Sequence, residues 1–113
     1  MTRVFKTRHF QRWMRKTELT DAVLCRAVQE MAAGLIDADL GGSVVKKRVG
    51  LAGRGKRGGV RTLVATNNGN RWFFVSGYEE LEGLQTIAAD LLARTGPQLD
   101  EAVADGALQE ICQ

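Results

Sequence analysis

The sequence contains one histidine, His9, among its 113 residues, and this scarcity limits the catalytic chemistry open to the chain. Acid–base catalysis by a pair of histidines is excluded, and no Ser/His/Asp set can form without His9. We interpret His9 as a surface residue or a residue at the start of a helix. One histidine and two distant cysteines have no metal-ligand spacing, so we expect neither a metal nor another cofactor.

Cysteine and long apolar runs are also scarce. Cys25 and Cys112 stand far apart, so the sequence predicts no disulfide framework, and Cys25 is expected to be a buried free thiol in a reducing compartment. No apolar run approaches the ~20 residues of a membrane span, and the basic N-terminus lacks the apolar segment of a signal peptide. We therefore expect a cytoplasmic protein with no membrane partner.

Acidic residues are absent from the middle of the chain. The segment Lys46–Arg61, KKRVGLAGRGKRGGVR, holds seven basic residues and five glycines. Like charges repel one another and do not help folding, so the predicted partner is a polyanion such as a nucleic-acid backbone. The glycines allow backbone N–H groups to approach an anion closely.

The charge of the whole chain is divided between its two parts. Residues 1–75 carry 15 basic and 5 acidic residues, whereas residues 76–113 carry 1 basic and 8 acidic residues. This division predicts a basic binding face beside an acidic C-terminal part.

Two glycine motifs in the basic segment match nucleotide-binding loops without the context that those loops require. Residues 53–58 fit the dinucleotide pattern G-x-G-x-x-G, and residues 50–57 differ by one residue from a P-loop. Both motifs need a helix to follow, whereas a strand is expected here. Arg57 also replaces the hydroxyl residue that would hold magnesium. A nucleotide hydrolase is therefore disfavoured.

Local periodicity predicts a strand, two helices, a three-stranded antiparallel meander and further helices. Thr20 has the position of an N-cap, Gly34 that of a helix end, and Asn67-Asn68-Gly69-Asn70 that of a hairpin turn. Residues 50–59 are expected to form a long loop. The expected elements are a strand at 3–7, helices at 9–16 and 20–34, strands at 43–49, 60–66 and 71–76, and helices from residues 80 and 96.

This order of elements predicts an α+β fold, a small antiparallel twisted sheet with two N-terminal helices packed on one face and C-terminal helices. We expect a single domain over residues 1–113, with a core at 3–95 and an acidic helical tail at 96–113.

Alternation along the strand at 43–49 divides its cations between two faces of the sheet. Val45, Lys47 and Val49 share one face. Lys46 and Arg48 share the other, which we expect to be left open by the helices and to carry Arg61 as well.

A cationic cluster can support cleavage of RNA without histidine pairs, because RNA supplies its own nucleophile, the 2′-OH. Arginine bonds phosphate oxygens in a bidentate manner, and a lysine among other cations can act as a general acid or base. The residues that could converge on one phosphate are Lys46, Arg48, Lys56 and Arg61. The alternative, from the pattern alone, is a face that binds phosphate without chemistry.

The order of several motifs resembles the RelE/HigB-like toxins of bacterial and phage toxin–antitoxin pairs, and in particular the phage-derived, Gp49-like branch. The motifs are VFKTRHFQRW, LTDAVLCRAVQEM, GLIDADLGGSVVKKRV, GRGKRGGVRTLVAT and RWFF. The resemblance covers about Arg3 to Val75 and resumes at about Glu80. The combination of DADLGG, VVKKRV and GRGK-x-GG-x-R is what makes it specific.

This resemblance implies a microbial-ribonuclease-like fold and metal-independent cleavage of messenger RNA, usually on the ribosome, by attack of the 2′-OH on the adjacent phosphate. It also implies a cognate antitoxin, of the helix-turn-helix type, that covers the basic face. By the same resemblance, the catalytic positions are Lys46, Arg48, Lys56 and Arg61, and the RNA-binding positions are Lys47, Arg54, Arg57 and Arg71.

The chain departs from the family pattern after its last expected strand. Relatives continue with F-x-K-N-E-R, whereas here Ser76 leads through Tyr78 and Glu79 into Glu80, so the basic phrase is absent. This departure leaves an alternative open, a catalytically weakened or inactive RelE-like protein that binds RNA or an antitoxin. Inhibition of a non-RNA target such as gyrase, known in the wider superfamily, is a third interpretation.

Overall fold

The structure, a computed structural model, describes residues 2–51, 55–67, 69–77 and 81–113, and for residues 55–57 it gives the backbone alone. No helix in these ranges is long and apolar enough to cross a membrane. In chain order, the elements are β1 (Arg3–Thr7), α1 (Arg8–Met14), α2 (Asp21–Ala32), β2 (Ala38–Gly41), β3 (Val44–Leu51), β4 (Gly55–Thr66), β5 (Arg71–Gly77), α3 (Leu84–Leu92), α4 (Gly96–Ala104) and β6 (Leu108–Ile111).

These strands form one mixed sheet with the order β2-β3-β4-β5-β1-β6. Strands β2 to β5 are antiparallel neighbours, β1 runs parallel to β5, and β6 is antiparallel to β1. The α+β class and the β3-β4-β5 meander are thus confirmed. Strands β2 and β6 have no counterpart among the expected elements, because four residues are too few to show a strand period.

Two expectations about irregular and helical segments are wrong. The described parts of the segment expected to be a long loop, residues 50–51 and 55–59, instead belong to the β3–β4 hairpin, since β3 reaches Leu51 and its Cα partner in β4 is Gly55. The expected helical tail at 96–113 contains α4 but ends in the strand β6. Residues 108–111 therefore belong to the sheet.

The helix boundaries follow the capping signals of the sequence. The hydroxyl of Thr20 accepts a hydrogen bond from the N–H of Val23 at the start of α2, with a donor–acceptor distance of 3.3 Å. Helix α2 ends two residues before Gly34, whose φ of 94° favours glycine. Thr95 forms a capping box with Gln98 at the start of α4.

Helices cover both faces of the sheet, so the expectation of one open face is wrong for most of its area. Helices α1 and α2 pack on one face, here named the α1/α2 face, through a core that includes Phe10, Leu24, Met31, Val64 and Phe74. Helices α3 and α4 pack on the other, named the α3/α4 face, through a core that includes Phe5, Leu63, Phe73, Leu84 and Leu99.

Arg3 in β1 fastens the acidic C-terminal part to the sheet. Its guanidinium donates to both carboxylate oxygens of Glu110 in β6 at 2.8 Å, and to a carboxylate oxygen of Asp100 in α4 at 2.8 Å. These bonds raise the pKa of Arg3 and hold the pKa of Glu110 below its ordinary value. The C-terminal acids in these pairs therefore lie at the β1–β6 edge, away from β3 and β4.

Cys25 and Cys112 form a disulfide with a Cα–Cα distance of 5.5 Å across 87 residues of sequence. The prediction of a free thiol at Cys25 is therefore wrong. Because β6 pairs with β1, Cys112, the residue after β6, comes close to Cys25 of α2. This proximity depends on contacts between distant parts of the chain, which the local sequence pattern does not indicate. The cysteines accordingly give no support to the expectation of a reducing compartment.

Removal of the disulfide is expected to lower the free energy of unfolding by about 2–5 kcal/mol, because the bond closes a long loop in the unfolded chain. Chemical denaturation with and without dithiothreitol measures this difference. The matched control is the double variant Cys25→Ser/Cys112→Ser, whose stability should not respond to the reductant. An unchanged midpoint for the reduced wild type would contradict the expectation.

The Arg3–Glu110 pair is expected to make stability depend on pH at the acidic end. Because its folded-state pKa is depressed, Glu110 stabilises the fold above the unfolded value of about 4.3, and this contribution is lost as the pH falls through the lower folded value. The variant Glu110→Gln should lose about 1 kcal/mol at neutral pH. It should also lose less stability than the wild type on acidification.

Denaturation curves at several pH values test this expectation. Glu101→Gln, an exposed position in α4, is the matched control and should keep the wild-type acid dependence. If the free energy of unfolding fell equally with pH in wild type and Glu110→Gln, the Arg3–Glu110 pair would not be the cause of the acid dependence.

Candidate nucleic-acid interface

Strands β3 and β4 bring three predicted cations onto one face of the sheet. Arg48 and Arg61 are direct Cα partners across the two strands. Lys46 lies two residues from Arg48 and therefore on the same face, and its own partner, Leu63, belongs to the core of the α3/α4 face. Lys46, Arg48 and Arg61 are named the basic surface below.

The basic surface begins where the cover provided by α3 ends. Val44, two residues before Lys46, is buried in the same core as Leu84 of α3. Further along the strands, Lys46 and Arg48 are half-buried and Arg61 is exposed. The α3/α4 face is thus apolar and covered at one end and cationic at the other.

The charges of the basic surface are not neutralised by the acids that the structure describes. Among those acids, no carboxylate lies within 4.0 Å of the side-chain nitrogens of Lys46, Arg48 or Arg61. Asp37 is a neighbour, but its carboxylate accepts a hydrogen bond from the backbone N–H of Arg48 at 2.5 Å. That bond holds the carboxylate at the backbone of β3, on the side where β2 pairs.

Such an arrangement favours an anionic ligand. Like charges directly opposite each other on neighbouring strands destabilise a sheet, and an anion between Arg48 and Arg61 would remove this repulsion. Guanidinium groups bond phosphate oxygens in a bidentate manner and stabilise further negative charge as it develops on them. The site is therefore suited to bind a phosphate and to stabilise a charged phosphoryl transition state.

Lys47 does not belong to the basic surface, and its prediction as an RNA-binding residue is corrected. It points to the α1/α2 face, where its side chain is 3% exposed. The ammonium pairs with the carboxylate of Glu30 at 2.8 Å and donates to the carbonyl of Leu35 at 2.8 Å. This lysine holds the end of α2 and the turn after it against β3.

Arg71, which the resemblance implies to be an RNA-binding residue, lies away from the basic surface, and its role in RNA binding stays a prediction. It begins β5, while Arg61 lies next to Thr62, whose partner Gly77 ends β5. The rise of a strand separates the two ends of β5 by about 20 Å. The guanidinium of Arg71 donates to the carbonyl of Arg94 at 2.8 Å, just after α3.

The structure describes the other predicted residues only in part or not at all. Lys56 and Arg57 lie in β4 next to Gly55, the partner of Leu51, and their side chains lie outside the description. Arg54 lies outside the described residues, as do Tyr78, Glu79 and Glu80 at the departure from the family pattern.

A comparison with protein-family models gives a match to the RelE toxin of the RelE/RelB toxin–antitoxin system over residues 2–111. The chain belongs to the RelE toxin family. No curated protein and no solved structure gives a significant match. RelE toxins are in general endoribonucleases of toxin–antitoxin systems. The match is to the family as a whole, so membership of the Gp49-like branch stays a prediction.

This RelE-family chain carries a second group of cations that the sequence analysis did not single out. They lie on and just after α1, and all are exposed: Arg8, Arg12, Arg15 and Lys16. The exposure of His9 near the start of α1 confirms its interpretation as a surface residue. The available signal was the run RHFQRWMRK, which contains no acid.

Lys46 and Lys47 are expected to respond in opposite ways to replacement by methionine. Lys47→Met should lower the free energy of unfolding by about 1–3 kcal/mol, because the carboxylate of Glu30 and the carbonyl of Leu35 lose a buried donor. Lys46→Met, the matched control on the other face, should change it by less than about 0.5 kcal/mol. Urea denaturation of both variants measures the difference, and equal losses would contradict this division of faces.

Proposed function

We propose that this RelE-family chain is a metal-independent endoribonuclease that cleaves messenger RNA on the ribosome. The observation that carries the proposal is the cross-strand pair Arg48–Arg61 with Lys46 on the same face, three cations without a carboxylate partner among the described residues. Within the described ranges, no ion pair of the fold uses the charges of this cluster. The cluster suits the phosphodiester substrate of a ribonuclease.

In the proposed reaction, the 2′-oxygen of one nucleotide attacks the adjacent phosphorus in line with the bond to the 5′-oxygen. That bond breaks and leaves a 2′,3′-cyclic phosphate and a free 5′-hydroxyl. Arg48 and Arg61 bond the phosphoryl oxygens and stabilise the charge that builds there. Lys46 and Lys56 are assigned the proton transfers, one from the 2′-hydroxyl and one to the leaving 5′-oxygen.

The remaining predicted residues and partners belong to the same proposal. Arg54 and Arg57 would bind RNA outside the scissile phosphate. A helix-turn-helix antitoxin would cover the basic surface, and the chain would act in the cytoplasm as a single domain over residues 1–113.

Binding without cleavage is the second candidate function. The sequence lacks the basic phrase that relatives carry after the last strand, and the residues at this position are Ser76-Gly77-Tyr78-Glu79-Glu80. A chain that keeps Arg48 and Arg61 but lacks a further cation can still bind phosphate. It would then act as an RNA-binding or antitoxin-binding protein.

Expression of the chain alone in a bacterial host is expected to arrest growth and to create new messenger RNA 5′ ends. Arg61→Ala should abolish both effects, because one side of the phosphate site is lost. Growth curves and primer extension measure the two effects. Circular dichroism of the purified variant checks that it is folded.

Arg26→Ala is the matched control for this experiment. Arg26 is an exposed cation of α2 with no ion pair in the described part of the chain, so its loss should leave arrest intact. Persistent arrest with Arg61→Ala would contradict the assigned role of Arg61. Normal growth with folded wild-type protein and intact messenger RNA would favour the binding function.

A further inference from the structure

The cations of α1 differ from those of the other described helices because no acid accompanies them. Helices α2, α3 and α4 each include an aspartate, whereas α1 and the two residues after it include no acid. Arg12, Arg15 and Lys16 are exposed, and no acid in the described ranges lies within 4.0 Å of their side-chain nitrogens. A cationic surface without acids favours an anion from outside the chain.

Three of these cations form one row along the helix. Arg8, Arg12 and Arg15 are four and three residues apart, a spacing that places side chains on the same side of a helix. Arg15 keeps a helical backbone, with φ −59° and ψ −23°, and therefore continues the row. Phe10 and Met14, on the opposite side, are buried in the core of the α1/α2 face. The three guanidinium groups thus lie on the side of α1 that faces away from this core.

The row of arginines forms one wall of a surface cavity of about 700 Å³, here named the α1 cleft. The turn after α4 and strand β6 form the opposite wall, and the Nε of Arg8 joins the two walls by donating to the carbonyl of Gly106 at 3.3 Å. Glu110 also lines the cleft, but both of its carboxylate oxygens accept hydrogen bonds from Arg3 at 2.8 Å. The negative charge of this wall is therefore neutralised within the protein, whereas the positive charge of the row is not.

The α1 cleft is separate from the basic surface. It borders β1 and β6 at Thr7 and Gln109, whereas the basic surface lies on β3 and β4. Strands β5 and β1 lie between β4 and β6, so three strand spacings, or about 14 Å, separate β4 from β6. Exposed charges are largely screened from one another beyond about 8 Å at physiological ionic strength. An anion at the basic surface therefore does not neutralise the arginines of the cleft.

The exposed lining of the α1 cleft indicates the class of its ligand. In chain order, the exposed lining residues are Arg8, Arg12, Arg15, Gly106, Gln109 and Gln113. Interfaces with nucleic acids are more polar and more positive than interfaces between proteins, which place aromatic residues at their core. Arginine bonds phosphate oxygens in a bidentate manner, and the glutamine amide both donates and accepts, as the edges of bases require. This lining therefore fits a segment of nucleic acid better than a peptide.

We propose that the α1 cleft is a second RNA-binding site, an inference that rests on the proposed function for the choice of RNA. The cleft holds the phosphates of an RNA segment other than the one at the basic surface. One molecule then contacts RNA at two places, with the substrate strand on β3 and β4 and a second segment beside α1. The second site adds affinity by holding the chain near RNA and takes no part in bond cleavage.

The test uses a variant without the arginines of the basic surface, Arg48→Ala/Arg61→Ala, so that binding at the α1 cleft is measured in their absence. The probe is a fluorescein-labelled 2′-O-methyl oligoribonucleotide of about 12 nucleotides, a length within the usual site sizes for single strands. The 2′-O-methyl groups prevent its cleavage. Fluorescence anisotropy over a range of salt concentrations gives the affinity and its salt slope, to which each phosphate contact contributes about 0.7 for a single strand.

Adding Arg12→Ala/Arg15→Ala to this variant is expected to lower the salt slope by about 1.4, since two phosphate contacts are lost. Arg12→Lys/Arg15→Lys in the same background should keep the slope because it keeps the charge. Arg26→Ala, the matched control in α2, should also leave the slope unchanged. Circular dichroism confirms that each variant is folded.

An unchanged salt slope in the quadruple variant would overturn the proposal. A labelled oligoglutamate peptide serves as the second probe. If Arg12→Ala/Arg15→Ala weakened binding of this peptide and left RNA binding unaffected, the cleft would be a site for an acidic protein, which would overturn the proposal as well. Failure of the proposed function gives a different result, because wild-type protein would then leave messenger RNA intact on expression while the α1 cleft still bound the RNA probe.

Discussion

The buried ion pair between Lys47 and Glu30 fixes which face of β3 carries its other cations. A slip of one residue in the pairing of β3 would exchange the two faces of the strand and place Lys46 and Arg48 in the core. The pair opposes this slip, since the Lys47 ammonium bonds both Glu30 and the carbonyl of Leu35 on the α1/α2 face. The position of the basic surface therefore depends on a residue that takes no part in it.

The cations of this chain fall into two groups with different physical roles. Arg3, Lys6 and Lys47 pair with acids at 2.6–2.8 Å and join β1 and β3 to α2, α4 and β6. The cations of the basic surface have no such partners among the described residues, so their mutual repulsion destabilises the free protein. Stability and ligand binding thus depend on separate residues, although Lys46 and Lys47 are adjacent in the sequence.

Local signals predicted the parts of the fold that depend on local interactions. The strand at 3–7, the cap at Thr20 and the β4–β5 hairpin follow from periodicity, capping and turn chemistry, and the structure confirms each of them. The alternation of β3 was also predictable, as was the placement of Lys46 and Arg48 on the face opposite Val45 and Lys47. The cover of the Val44 end of that face by α3 was not predictable, because α3 is distant from β3 in the sequence. The disulfide and β6 depend on the approach of the C-terminus to β1 and α2, which no spacing in the sequence indicates.

The contact between α1 and the end of β5 depends on the absence of a side chain at Gly77. Gly77 pairs with Thr62 of β4, and a Cβ atom added to it would lie 2.3 Å from the Trp13 ring. Real Cβ atoms do not approach a ring this closely, so a side chain at this position would displace Trp13. A bulkier residue at position 77 would therefore move α1 away from the strand without removing a single charge. The position of the basic residues of α1 thus depends on packing as well as on electrostatics.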